Sequence, residues 1–129
     1  MSLIAHGIDL VHVPRIERIW REHGERFLER IYTPAERAYC LDCKNPAQRL
    51  AGRFAAKEAV LKALGTGWRG GLEWTDIETL PDPLGRPLVT LSGGCTKLAA
   101  VQGITQMLVS ISHANDFAIA SATGIAGHV

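Results

Sequence analysis

The chain has 129 residues, 47% of them hydrophobic, which is enough to close one core and too few for two. Its 14 basic and 13 acidic side chains leave a formal charge of +1, so neither a nucleic-acid coat nor a polybasic membrane anchor is expected. No apolar run is long enough to cross a bilayer, and MSLIAHGIDL lacks the basic flank and cleavage site of a secretory signal; a single cytoplasmic domain over 1–129 is expected.

Residues 3 to 13, LIAHGIDLVHV, are apolar and β-branched enough for a buried strand, which Asp9 interrupts. His6 and His12 share one face of it, too far apart along a strand to bind one metal ion. Pro14 suits a first helical position, and Ile16, Ile19, Trp20, Phe27 and Ile31 recur at helical spacing, with Arg15, Arg18 and Arg21 largely on other faces. Those arginines read equally as a solvated face or as a docking surface for an acidic partner. Thr33-Pro34-Ala35-Glu36 has the form of a capping box, opening a second helix to about Asp42. Asn45-Pro46 opens a third, from Pro46 to Leu64, stopped by Gly65-Thr66-Gly67.

Residues 74 to 80 and 87 to 91 read as two strands joined by the turn formers Pro81 to Arg86. A short helix at 95 to 102 follows Ser92-Gly93-Gly94, and strands at 105 to 112 and 117 to 123 are turned by His113-Ala114-Asn115-Asp116. The order β-α-α-α-β-β-α-β-β predicts an α+β fold, a mainly antiparallel sheet with helices packed on one side. The three cysteines cannot all pair, and Cys40-Leu-Asp-Cys43 has no second such motif or nearby His to complete a zinc site, so these read as ordinary helix cysteines.

Charge is unevenly placed. From Arg49 to Arg69 five cations accompany one anion, Glu58, whereas Glu73 to Asp82 carries four acids and no base. On the third helix Leu50, Phe54, Leu61 and Leu64 form one stripe, with Lys57 near its centre and Glu58 at its edge, while the side of Ala56 and Ala63 bears no charge. An unpaired buried charge costs several kcal/mol, so this inverted pattern suggests a helix lining a polar cleft or an interface. An ion pair between Glu58 and Lys62 at i, i+4 accounts for the same residues. Asp9 is a second carboxylate with no local partner, and a hard cation such as Mg²⁺ is the simplest way to reconcile two converging acids. Mg²⁺ takes few carboxylates together with phosphate oxygens and water, and Arg53, Lys57 and Lys62 would supply charge for that phosphate.

GIDLV (7 to 11) followed by Arg15-Ile16, RFAAKEAVLKALGTG (53 to 67), DIE (76 to 78), GRP (85 to 87) and VSISH (109 to 113) together resemble the holo-[acyl-carrier-protein] synthases, the small phosphopantetheinyl transferases, over nearly the whole chain. The resemblance implies Mg²⁺-dependent transfer of 4'-phosphopantetheine from coenzyme A to a serine of an apo acyl carrier protein, releasing adenosine 3',5'-bisphosphate. By the same resemblance Asp9 and Glu58 are the metal ligands, and Lys62 meets the coenzyme pyrophosphate. Arg53, Lys57 and Gly65 are further coenzyme contacts, Gly85, Arg86 and Pro87 lie near the adenine, and His113 approaches from a neighbouring subunit of a homotrimer. Glu58, acting through a water, or water itself, is the candidate base, and Asp9 and Lys62 complete the catalytic group. Arg15, Arg18 and Arg21 would dock the acidic carrier. Two rivals remain: a non-catalytic module whose acids and lysines form a structural ion-pair network, and a nucleotide hydrolase built on the same metal site.

Overall fold

A computed structural model describes residues 1–65 and 71–127. Thr66 and Gly67 of the expected helix stop, Arg69 of the basic run, and His128 and Val129 lie outside the described residues. In chain order the elements are β1 (Ser2–His12), α1 (Val13–His23), α2 (Glu25–Ile31), α3 (Pro34–Leu41), α4 (Pro46–Ala63), β2 (Ile77–Pro81), β3 (Pro87–Leu91), α5 (Gly93–Val101), β4 (Gln106–Ala114) and β5 (Phe117–Ala126). This is the expected α+β order, all strand pairs antiparallel, with the first helix divided in two. Gly24 makes the division: its φ of 57° is a conformation that glycine adopts readily, and it ends α1 by donating its N–H to the Trp20 carbonyl. No helix among the described residues is long and apolar enough to cross a membrane.

The strands form two sheets, β1-β5-β4 and the β2-β3 hairpin. Trp74–Asp76, expected as the start of a strand, is a 3₁₀ turn, and β2 begins only at Ile77. The β4-β5 turn is tighter than expected because β4 continues through His113 and Ala114, leaving Asn115 to take the positive φ of 54° that Asn tolerates better than most residues. The capping box at Thr33 is formed: its hydroxyl accepts from the Glu36 N–H at 3.1 Å, and the Glu36 carboxylate accepts from the Thr33 N–H at 3.0 Å.

α4 is the central element. Its alanine side packs across the three-stranded sheet, where Ala118, Ala120 and Ala122 of β5 are buried and small enough to admit a helix at close range. Its other side meets α1, α3 and β2. The pattern that looked inverted therefore reflects a helix enclosed over most of its surface, with Glu58 half-buried and Lys62 exposed on the side toward Asp9. β1 departs from expectation in the other direction. Gly7 and Val11 face the core, but Ile8, Leu10 and His12 point outward and are exposed, beside outward-facing Phe117 and Ile119 of β5.

Candidate active site

Gly7, Asp9 and Val11 share the helix-facing side of β1, because side chains alternate along a strand. Gly7 sets the spacing. A Cβ at that position would lie 2.1 Å from the Ala59 carbonyl oxygen and 2.7 Å from the Ala63 nitrogen, so only glycine lets β1 approach α4 this closely. Two residues on, Asp9 reaches the face of α4 that carries Glu58 and Lys62, which stand one turn apart on the helix.

There the Lys62 ammonium donates to Asp9 Oδ1 at 2.9 Å and to the Ile8 carbonyl at 3.0 Å. The expected i, i+4 pair between Glu58 and Lys62 gives way to this contact across 53 positions. Glu58 is half-buried, and its carboxyl is pushed above the usual range, first by loss of water and then by the negative charge of Asp9; Lys62 and Arg15 pull it down. The two acids expected to converge do feel one another. Arg15, at the start of the helix that follows β1, brings a second cation to them.

Lys57 does not join this group. It stands about 100° around the helix from Glu58, fully buried, with its ammonium 2.8 Å from Glu36 Oε1. It also donates to the Trp74 carbonyl at 3.0 Å and to the Ile77 carbonyl. Three donors meet three acceptors, so no N–H is left for a phosphate. Burial pulls the Lys57 amine below its usual range, and the Glu36 charge opposes that pull. Arg53, one turn earlier on the same side, is also buried, donating to the Thr79 carbonyl at 3.3 Å and stacking 4.4 Å from the Tyr39 ring centre. Lys57 and Arg53, both expected as coenzyme contacts, take their partners within this chain, in the packing between α4, α3 and β2. The physical reason is that a charge buried away from water must find its partner inside, and here the partners are Glu36 and backbone carbonyls.

Glu36 is the residue the sequence reasoning passed over. One oxygen serves Thr33 and Lys57, and the other accepts from the Thr79 N–H at 2.9 Å. Thr33 in turn donates its hydroxyl to Glu78 at 2.6 Å. The signal was available: a capping-box glutamate, and a lysine in an apolar stripe with no partner on its own helix. Two of the DIE residues are structural in the same way, Asp76 packing against Gly93 and Glu78 holding Thr33.

Other expected residues lie elsewhere. Gly65, with φ of 80°, ends α4, and Gln102, just past the end of α5, donates to the Leu64 carbonyl at 2.6 Å. Gly85 and Arg86 turn the β2-β3 hairpin, with Arg86 Nε on Asp82 at 2.9 Å, and Arg86 and Pro87 border a groove of about 730 Å³ between β3, α5 and β4. His113 Nε2 lies 2.9 Å from the Gln48 carbonyl, above Gly52, about 9 Å along α4 from Glu58. Arg15 and Arg18 are exposed, and Arg21 pairs with Glu17 at 3.6 Å. Thus the structure unites Asp9, Glu58, Lys62 and Arg15 within one chain, and does not bring His113 or the 85–87 turn to them.

Comparison with known proteins covers this same frame. A family model described as the 4'-phosphopantetheinyl transferase superfamily matches residues 5–122. A holo-[acyl-carrier-protein] synthase of Koribacter versatilis is 46% identical over 119 residues, 92% of this chain and 95% of that protein. The crystal structure of a holo-[acyl-carrier-protein] synthase from Neisseria meningitidis matches with a TM-score of 0.87 at 35% identity, covering 96% of this chain and 99% of that one. That from Helicobacter pylori, solved in complex with coenzyme A, matches at 0.82 and 37%, covering 93% and 99%. Since the likeness runs through the strand carrying Asp9 and the helix carrying Glu58, the chain belongs to the holo-[acyl-carrier-protein] synthases of the 4'-phosphopantetheinyl transferase superfamily.

Proposed function

We propose that the chain transfers 4'-phosphopantetheine from coenzyme A to a serine of an apo acyl carrier protein, with Mg²⁺ bound at Asp9 and Glu58. The observation that carries this reading is the Lys62 ammonium on Asp9 at the junction of β1 and α4, with the charges of both acting on Glu58. Among the described residues no cluster of three or more His, Cys, Asp or Glu side chains could hold a metal ion. A two-carboxylate, all-oxygen donor set fits Mg²⁺, which commonly fills its other positions with phosphate oxygens and water. A cationic group already rests on Asp9, so the site tolerates positive charge there. The coenzyme A complex of the Helicobacter relative supports the choice of donor substrate.

In this reading Asp9 and Glu58 hold the ion, which would supply positive charge to the pyrophosphate. Lys62, half-exposed and on a flexible stem, binds a pyrophosphate oxygen. The serine oxygen attacks the β-phosphorus, forming one P–O bond. The bond to the bridging oxygen breaks, and its electron pair leaves with adenosine 3',5'-bisphosphate. Glu58 accepts the serine proton through a water. Lys62 and Arg15 stabilise the negative charge that builds on the transferring group. Arg15 and Arg18 face the solvent beside the site and offer the acidic carrier a docking surface, which makes association salt-sensitive.

A homotrimer completes the picture. The outward face of β1 and β5 carries exposed Ile8, Leu10, Phe117 and Ile119, apolar area suited to burial against another copy. His113 and the 85–87 turn, remote from Glu58 in their own chain, would then serve a neighbour's coenzyme. The test is incubation with coenzyme A, Mg²⁺ and a panel of apo carriers, read by mass spectrometry. One added phosphopantetheine on the carrier is expected; no adduct on any carrier refutes the proposal, and coenzyme turnover without a carrier points to hydrolysis instead.

A further inference from the structure

We propose that Lys62 is the resident counter-cation of Asp9 in the metal-free enzyme, competing with the divalent ion for the same carboxylate until coenzyme A draws it away. This rests on the metal site of the proposed function and adds an order to how that site fills.

Three observations carry it. Lys62 has a choice of acids, with Glu58 one turn away on its own helix, yet its ammonium lies on Asp9 Oδ1 at 2.9 Å and on the Ile8 carbonyl at 3.0 Å. Two of its three donors are thereby committed to β1. The Asp9 side chain is only 16% exposed, whereas Lys62 is 52% exposed. Asp9 has given up most of its water and relies on the ammonium, while Lys62 can swing into solvent at little loss. Finally, the Lys62 stem passes over Gly7, where a Cβ would meet the Lys62 Cβ at 3.0 Å, so the absence of a side chain there lets the lysine lie back along β1.

A divalent ion arriving alone must compete with a charge-assisted hydrogen bond for the carboxylate it needs. A pyrophosphate changes that competition by giving Lys62 another anion. Lys62 is thus a positioning residue that couples metal and coenzyme: each tightens the other, by the same factor, as linkage requires. The enzyme would hold its metal weakly until the coenzyme arrives, which limits capture of stray divalent ions.

The experiment measures Mn²⁺ binding by electron paramagnetic resonance, with and without coenzyme A, for the intact chain, Lys62→Met, Lys62→Gln and Asp9→Asn. Without coenzyme A, both Lys62 variants should bind Mn²⁺ about tenfold tighter than the unaltered protein, within the usual span of such couplings. The factor by which coenzyme A tightens Mn²⁺ should shrink correspondingly. Unchanged or weaker Mn²⁺ binding in folded Lys62 variants, checked by circular dichroism, overturns the inference while leaving the metal site standing. Mn²⁺ binding that Asp9→Asn leaves intact, or no saturable Mn²⁺ binding by any form, refutes the underlying site and this inference with it.

Discussion

Replacing Glu36 by Ala should cost the protein more than replacing any exposed acid, because three donors lose one acceptor group at once. The Lys57 ammonium, fully buried, keeps only the Trp74 and Ile77 carbonyls. The N–H groups of Thr33 and Thr79 lose their acceptors. Breaking a buried ion pair from one side costs about 3 to 5 kcal/mol, and a buried backbone donor left unpaired costs about 1 to 3 kcal/mol. A loss of roughly 4 kcal/mol or more follows, a fall in Tm on the order of 10 °C. Lys57→Met should cost less, since the Glu36 carboxylate keeps two backbone donors. The double variant Glu36→Gln/Lys57→Met should cost less than the two single changes summed, by roughly 1 to 3 kcal/mol of coupling. Urea unfolding at fixed protein concentration measures all of these. A loss below about 1 kcal/mol for Glu36→Ala, or simple additivity in the cycle, would show that the pair is not the anchor argued here. Kinetics add a second check. Lys57→Met, assayed well below its melting point, should move the coenzyme A KM by less than about threefold, whereas a tenfold rise would return Lys57 to the phosphate.

Gly7→Val should drive a side chain into the Ala59 carbonyl and separate β1 from α4, losing about 1 to 3 kcal/mol or more. Transfer activity should fall with it even where the fold survives, because Asp9 moves away from Glu58; full activity in a folded variant would sink the close-approach argument. Glu58→Ala is expected to abolish transfer with the melting temperature nearly unchanged, and unaltered transfer would refute its assignment. The buried Cys40 thiol, pushed up to about 12 chiefly by burial, keeps its proton in the folded chain while the unfolded thiol releases it near its ordinary value of 9.0. Its stabilising contribution is therefore complete below about pH 9 and lost as pH rises toward 12, at about 1.4 kcal/mol per pH unit. The stability of the unaltered protein relative to Cys40→Ala should fall by nearly that slope between pH 10 and 11, and a pH-independent difference would contradict the sign.

Local chemistry was enough to order the elements. Pro14, the Thr33 capping box and Asn45-Pro46 each start a helix where the sequence places one, since a missing N–H or a side-chain acceptor acts within a single turn. The same locality explains the misses. Gly24 interrupts an apolar pattern that runs on past it, so the break in the first helix leaves no trace in periodicity. Periodicity did reveal that Glu58 and Lys62 share a side of α4, one turn apart.

Which side meets the core and which meets Asp9 was decided only by chain closure. Lys57 takes its partner from α3, 21 positions earlier, and Lys62 takes its partner from β1, 53 positions earlier. Both lysines look alike to the sequence, being flexible cations on one helix beside apolar neighbours. The fold separates them by desolvation: the lysine enclosed among α3, α4 and β2 must be saturated by internal acceptors, while the one at the rim of β1 keeps its reach. The sequence by itself determined that two acids and several cations would be available on these elements. Tertiary packing determined which lysine became part of the frame and which stayed free to move at the site, because the burial that distinguishes them exists only once Gly7 has let the strand settle against the helix.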